Sequence, residues 1–140
     1  MQLLLVFALV VTAASATDNW RYHTVEETTK YDQDCAKELE ISNELFEKYK
    51  KYEYPDDEAT HCFIRCVHKK MQLFTDETGH IANNVVRQLS QSYGDVDVEI
   101  IRTEVKKCID PNPIDDKCKW AYKGFICFQN SNPELVKDPE

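Results

Sequence analysis

The six cysteines of this chain are the residues whose type and spacing suggest a chemical role. Intervals of 26, 3, 41, 9 and 8 residues separate them, at positions 35, 62, 66, 108, 118 and 127. Zinc sites commonly use pairs of the type C-x2-C, which are absent here, whereas an even number of cysteines behind a secretory leader indicates disulfides. We therefore predict three disulfides, and we interpret Cys62, Cys66 and His68 as a chance cluster rather than a metal site.

The first sixteen residues, Met1 to Ala16, have the composition of a secretory signal peptide. The apolar run from Leu3 to Val11 is too short to span a bilayer, and the residues at 14–16, Ala-Ser-Ala, are small enough for signal peptidase. Cleavage after Ala16 would leave a single domain, residues 17–140, of ordinary size. The predicted location is extracellular.

The charge of the chain argues against two classes of partner. The formal net charge is −8 and the isoelectric point is near 5.0. Nucleic-acid binding needs clustered Lys and Arg on one face, and an anionic membrane surface would repel the chain. We interpret the two short basic runs as solvated helix faces: Lys48, Lys50 and Lys51, and His68, Lys69 and Lys70.

The elements that must position the cysteines are helices. After the leader, apolar residues recur at steps of three and four, and the chain has only 3 Gly and 5 Pro. A capping box at 24–27 opens a first helix to about Leu39, and Ser42 caps a second that ends before Pro55. The third runs from Asp56 towards Met71, and a turn follows at residues 75–79.

Three more helices complete the predicted set of six. Gly94 stops the fourth, which carries Ile81 to Tyr93, and Pro111 ends the fifth, which carries Val98 to Cys108. Asp115 or Asp116 caps the sixth, which extends to about Gln129. We expect residues 131–140 to be a loose tail.

Helix rotation limits how the cysteines can pair. At about 100° per residue, Cys62 and Cys66 face the same side one turn apart, and we do not expect them to bond each other. Cys118 and Cys127 lie about 180° apart, so the last helix must be tied to two different neighbours. Six cysteines allow about 15 pairings, and the residues alone do not select one.

Two intervals match a known family: x3 in Cys62-Phe-Ile-Arg-Cys66 and x8 in Cys118-Lys-Trp-Ala-Tyr-Lys-Gly-Phe-Ile-Cys127. With the helical pattern, the leader and the length, they make the chain resemble the insect odorant-binding proteins of the six-cysteine pheromone-binding and general-odorant-binding type. The resemblance covers nearly all of the chain after the leader. It implies an all-α, six-helix bundle, stapled by disulfides and enclosing an apolar cavity. It also implies the pairs Cys35–Cys66, Cys62–Cys118 and Cys108–Cys127.

The cavity implied by the resemblance needs apolar and aromatic walls, and aromatic residues crowd the last helix. We predict that the ligand contacts Leu73, Phe74, Val85, Val86, Leu89, Trp120, Tyr122, Phe125 and Phe128. A phenol, Tyr54 or Tyr122, would offer a hydrogen bond. In several members of the family the tail closes over the cavity, but the charged end of this tail, at 137–140, is poorly suited to burial.

Histidine is the side chain whose ordinary titration falls between about pH 5 and 8. Of the four histidines, His80 lies beside the turn at 75–79, and we predict that its protonation between pH 7 and 5 weakens ligand binding. His61 is the second choice. The others are interpreted as solvated.

These observations predict a secreted carrier of small hydrophobic ligands such as odorants, pheromones or fatty acids, with a chemosensory receptor as a further partner and no cofactor. No catalytic motif stands out: G-x-S-x-G, H-E-x-x-H and glycine-rich phosphate loops are missing from the sequence. One alternative is a saliva-type scavenger of small mediators with a more polar pocket. The other is a small lipase, which would need a His–Asp pair and a glycine-rich calcium loop. The ligand's identity and the oligomeric state stay open.

Overall fold

The helix boundaries follow the capping residues of the sequence. A computed structural model describes residues 18–137, so the predicted signal peptide and the last three residues lie outside the described part. The helices are α1 (Val25–Glu38), α2 (Asn43–Tyr49), α3 (Glu58–Lys70), α4 (Ala82–Ser92), α5 (Val98–Cys108) and α6 (Lys117–Ser131). The all-α fold with six helices is therefore confirmed. Within residues 18–137, no helix combines the length and the apolar character needed to cross a membrane.

Short polar side chains cap the first turn of every one of these helices except α4. The Thr24 side chain accepts from the backbone N–H of Glu27, while the Glu27 carboxylate accepts from the backbone N–H of Thr24, which is the predicted capping box. Asp57 and Asp116 cap α3 and α6 in the same way, each accepting from the N–H three residues on. Each such cap stabilises its helix by about 1 kcal/mol.

A small hairpin replaces the simple turn that the sequence predicts after α3. Strand β1 (Phe74–Thr75) pairs antiparallel with β2 (Gly79–His80). Gly79 has φ +76°, and a side chain there would also collide with the Trp120 ring, 2.5 Å from the position of a Cβ atom. The hairpin is held down on α3, because the Arg65 Nε atom donates to Asp76 at 2.7 Å. That hydrogen bond lowers the pKa of Asp76 to about 2.

Three disulfides staple the bundle. Cys35 bonds Cys66, which ties α1 to α3, and Cys62 bonds Cys118, which ties α3 to α6. The third, Cys108–Cys127, ties α5 to α6. These are the pairs that the family resemblance implies, and α6 is held to two neighbours on opposite sides.

The buried apolar residues form two clusters rather than one core. The larger cluster lies around α3 and the first half of α6 and includes Phe63, Val67 and Trp120. The smaller joins α4, α5 and the end of α6 through Val86, Ile101, Val105 and Phe128. Val85 packs against both clusters. The division leaves room between them for a cavity.

The segment after α6 is ordered at least to Lys137, so the prediction of a loose tail is wrong for this part. A single 3₁₀ turn (Pro133–Leu135) follows the helix, and Leu135 and Val136 pack against the smaller cluster. The Tyr93 hydroxyl donates to the carbonyl of Lys137. The two apolar residues are thus folded back onto the bundle, while the charged end lies beyond the described residues.

Candidate ligand-binding site

An internal cavity of about 170 Å³, called here the inner cavity, lies between the two clusters. Its walls come from α3 to α6, the hairpin and the tail, and they consist of His68, Met71, Leu73, His80, Val85, Gln88, Leu89, Val105, Cys108, Ile109, Gly124, Phe125, Phe128, Leu135 and Val136. None of these is Asp, Glu, Lys or Arg. The wall is therefore apolar except at two histidines and one glutamine, which is typical of a small-molecule site.

A second space of about 300 Å³, the outer cavity, adjoins the first. The two share His68, Met71, Gln88, Leu89 and Leu135 in their walls. The remaining wall of the outer cavity is more polar and reaches exposed residues such as Thr29 and Lys50. The outer cavity is thus the more polar of two adjoining spaces.

Two histidines meet in the wall of the inner cavity. His68 Nδ1 and His80 Nε2 are 3.1 Å apart, although the residues come from α3 and from β2. Burial away from water, followed by the neighbouring His80, lowers the pKa of His68 to about 3. Burial also lowers the pKa of His80 to about 4. Both rings are therefore neutral at pH 7 and at pH 5.

The interpretation of His68 as part of a solvated basic run is wrong. Successive helical residues point about 100° apart, so Lys69 is exposed while His68 faces the cavity. The pattern that could have shown this is the stripe of Ile64, His68 and Met71, at i, i+4 and i+7, along the buried face of α3. His80 likewise belongs to the cavity wall, and its pKa is below the window of pH 7 to 5 that the sequence analysis assigned to it.

The structure brings together about half of the predicted ligand contacts. Those that line the inner cavity are Leu73, Val85, Leu89, Phe125 and Phe128. Tyr54 lines the outer cavity, where its ring packs edge-on against Phe125 at 4.9 Å. On α6 the residues that face the cavity are Gly124, Phe125 and Phe128, which lie on one side of the helix.

Four predicted contacts lie outside both cavities: Phe74, Val86, Trp120 and Tyr122. Trp120 packs on Phe74 and donates from Nε1 to the carbonyl of Asp110 at 3.1 Å. The Tyr122 hydroxyl donates to the carbonyl of Tyr54 at 2.9 Å, so this phenol is already satisfied. Val86 is buried in the smaller cluster. Their apolar or aromatic character agrees with the burial of all four, but it could not tell packed core from cavity wall.

The structure also forms a His–Asp pair that the sequence analysis did not find. His61 Nε2 and Asp56 Oδ1 are 2.6 Å apart across the start of α3, and 81% of the Asp56 side chain is exposed. The nearby cysteines, Cys62 and Cys66, are both in disulfides and cannot act as nucleophiles. The lipase type also needs a glycine-rich loop, and the chain has 3 Gly. The pair is therefore better explained as a surface contact that tethers the connection before α3.

Comparison with known proteins settles the family. Residues 17–131 match the family described as PBP/GOBP. The chain belongs to this family. Odorant-binding protein 22 of Aedes aegypti is 42% identical over 132 residues, which make up 94% of this chain and 91% of that protein. The resemblance drawn from the cysteine spacing is thus confirmed, and the family is one of binding proteins.

Solved structures of the PBP/GOBP family share the fold. Odorant binding protein 5 of Apis mellifera has a TM-score of 0.66 at 22% identity and covers 85% of this chain and 100% of its own. Odorant-binding protein 22a of Anopheles gambiae, solved with bound cyclohexanone, has a TM-score of 0.62 at 25% identity. It covers 76% of this chain and 92% of its own.

Proposed function

We propose that this protein is a secreted carrier that binds small hydrophobic ligands reversibly in the inner cavity and moves them through extracellular fluid. The observation that carries the proposal is the inner cavity itself, whose wall contains no Asp, Glu, Lys or Arg among residues 18–137. Apolar molecules are driven out of water, and a preformed apolar cavity gives them a place in a water-soluble protein. The cyclohexanone bound by the Anopheles gambiae relative is a ligand of this kind.

The two adjoining cavities support reversible uptake. A ligand entering through the outer cavity passes His68, Met71 and Leu89, which belong to both walls, before it reaches the apolar interior. The disulfides hold α3, α5 and α6 around this path. The wall segments that carry no disulfide of their own are α4, the hairpin and the tail at Leu135 and Val136.

Titration with N-phenyl-naphthylamine, a probe that fluoresces in apolar surroundings, tests the proposal. We expect saturable binding in the micromolar range, or about −8 kcal/mol. Phe125→Ala removes a ring from the cavity wall and should weaken binding about tenfold, equivalent to about 1.4 kcal/mol. Ile100→Ala is the matched control, because Ile100 is 56% exposed on α5, the same helix whose other face supplies Val105 to the cavity wall.

Absence of saturable binding by the folded wild type would overturn the proposal. Equal affinities of the Phe125→Ala and Ile100→Ala variants, with circular dichroism unchanged, would move the binding site away from the inner cavity. Trp120 does not suit such a test, because it is packed in the core at 3% exposure. Its loss would report on stability rather than on ligand contacts.

The scavenger alternative makes a different prediction for the same titration. A site for a small amine mediator needs a carboxylate or several hydrogen-bond acceptors. The inner cavity offers no Asp or Glu. We therefore expect amines to bind much more weakly than uncharged apolar molecules, and the opposite order would favour scavenging. The proposal includes a chemosensory receptor that receives the ligand. Receptor-activation assays with ligand-loaded protein would test this part.

A further inference from the structure

The two histidines in the inner cavity are hydrogen-bonded to each other, and each has one further ring nitrogen outside this bond. His68 Nδ1 lies 3.1 Å from His80 Nε2. The remaining nitrogens, His68 Nε2 and His80 Nδ1, have no hydrogen-bond partner among residues 18–137, and, unlike His23 Nε2, neither is a fully buried unpaired atom. Both residues line the inner cavity. The third polar side chain of the wall, Gln88, is already occupied by both backbone groups of His23, at 3.0 and 2.8 Å.

The chemistry of this pair follows from the tautomers of neutral imidazole, which has one N–H donor and one acceptor nitrogen. If His68 donates to His80, then His68 Nε2 is an acceptor and His80 Nδ1 carries the remaining proton. If the direction is reversed, the two free nitrogens exchange these roles. In either case the pair has one free donor and one free acceptor. By switching tautomers it can form a hydrogen bond with a carbonyl or a hydroxyl oxygen.

Packing holds the two rings in place. The His68 ring lies edge-on to Phe125 with 5.5 Å between centroids, and the His80 ring lies edge-on to Phe74 at 5.1 Å. Gly124 lets the His80 ring approach α6, because a Cβ atom there would stand only 2.7 Å from His80 Nδ1. A rigid polar group in an apolar wall is the arrangement that fixes the orientation of a small ligand.

We propose that the His68–His80 pair is the polar contact of the inner cavity and that the ligand it selects is an uncharged apolar molecule with a carbonyl or hydroxyl oxygen. This inference rests on the proposed function and names its ligand class. Charged groups are disfavoured in the same place, because a carboxylate or an ammonium would lose its hydration with no opposite charge in the wall. The lowered pKa values of both histidines agree with this, since neither ring offers a positive charge at neutral pH.

Two ligands of nearly the same shape test the contact. Cyclohexanone and methylenecyclohexane differ in having C=O or C=CH₂, and their dissociation constants can be measured by displacement of N-phenyl-naphthylamine. The quantity of interest is the ratio of the two constants, since water solvates the ketone more strongly than the alkene. The double variant His68→Phe/His80→Phe keeps two aromatic rings and removes the hydrogen bonds. In this variant we expect the dissociation constant of the ketone, divided by that of the alkene, to rise by about three- to tenfold. This is the range for the loss of one hydrogen bond.

His61→Phe is the matched control, because His61 is on α3 but lines neither cavity. This variant should retain the wild-type ratio. An unchanged ratio in the double variant, with both ligands still bound, would overturn the histidine contact and leave the carrier function standing. Failure of the probe and of both ligands to bind the wild type would overturn the carrier function, and this proposal with it.

Nitrogen NMR of the wild type gives a second test that needs no variant. Hydrogen bonding changes the resonances of imidazole nitrogens, so cyclohexanone should shift those of His68 and His80 more than methylenecyclohexane does. His61 serves as the internal reference. Equal shifts with the two ligands would count against the contact as strongly as an unchanged ratio would.

Discussion

At the scale of single residues, burial decides what the histidines can do. The sequence places His80 beside a turn and predicts titration between pH 7 and 5. In the folded protein the pKa of His80 is lowered to about 4 and that of His68 to about 3. Phe74, Gly124 and Phe125 pack against the two rings, and none of them titrates. His80 also lines a separate pocket together with Asp110 and Lys123, whose charges are opposite, and no carboxylate among residues 18–137 is hydrogen-bonded to either ring.

We therefore expect affinity for the apolar probe to be unchanged between pH 7 and 5 and to fall only as the pH approaches about 4. Stability should respond earlier. In the unfolded chain both histidines titrate near pH 6.5, so the free energy of unfolding decreases as the pH drops below that value, by up to about 1.4 kcal/mol per pH unit for each histidine. The loss is complete for each ring below its folded-state pKa.

Chemical denaturation at pH 7, 6 and 5, with probe titrations at the same values, measures both effects. His68→Phe/His80→Phe should remove the part of the decrease in stability that these two rings cause. What is left belongs to the carboxylates and to His23, whose pKa burial also lowers. A large loss of probe affinity between pH 7 and 5, without loss of helicity, would show that another group controls binding.

At the scale of elements, the short tail is a part of the cavity wall that few contacts hold. It is joined to the bundle by apolar contacts of Leu135 and Val136 and by the bond from the Tyr93 hydroxyl to the Lys137 carbonyl. No disulfide lies beyond Cys127. Segments held by few buried contacts open at low free-energy cost.

Leu135→Ala should therefore weaken ligand binding several-fold, mainly by faster dissociation, because it removes part of the wall and loosens the tail. Stopped-flow displacement of the probe measures the dissociation rate directly. Glu134→Ala is the control, since Glu134 lies on the same 3₁₀ turn but is exposed and absent from both cavity walls. Identical dissociation rates for the two variants would show that the tail does not retain the ligand.

At the scale of the whole molecule, the disulfides compensate for a core that is divided by a cavity. The bonds close loops of different length, with sequence separations of 31, 56 and 19 residues. A disulfide restricts the unfolded chain more when the loop it closes is longer. The connection between α3 and α6 therefore contributes more than the one between α5 and α6.

Removing Cys62–Cys118 by double alanine substitution should lower the free energy of unfolding by about 1 kcal/mol more than removing Cys108–Cys127 in the same way. The difference follows from separations of 56 and 19 residues and assumes similar packing losses. Guanidinium denaturation of the two double variants, each purified with its remaining disulfides intact, gives the comparison. The reverse order of stability would show that packing at α5 and α6 outweighs loop length.

The sequence by itself determined the family, the six helices and where three of them begin. These features depend on residues close together in the chain: Thr24 and Glu27 are three positions apart, and Ser42 and Asp116 cap helices through the N–H groups of Leu45 and Lys119. The cysteine intervals are equally readable. They lead to the pairing only through the resemblance, because spacing alone leaves about 15 arrangements.

Tertiary structure alone decided which buried residues form packed core and which face empty space. Trp120 and Phe125 are both aromatic residues of α6, yet one packs against Phe74 and the other lines the cavity. The contact between His68 and His80 joins a helix to a hairpin strand that the sequence did not predict. Periodicity reports the direction of a side chain on its own helix, whereas a cavity exists only where several helices fail to close on one another, and that depends on how all of them pack.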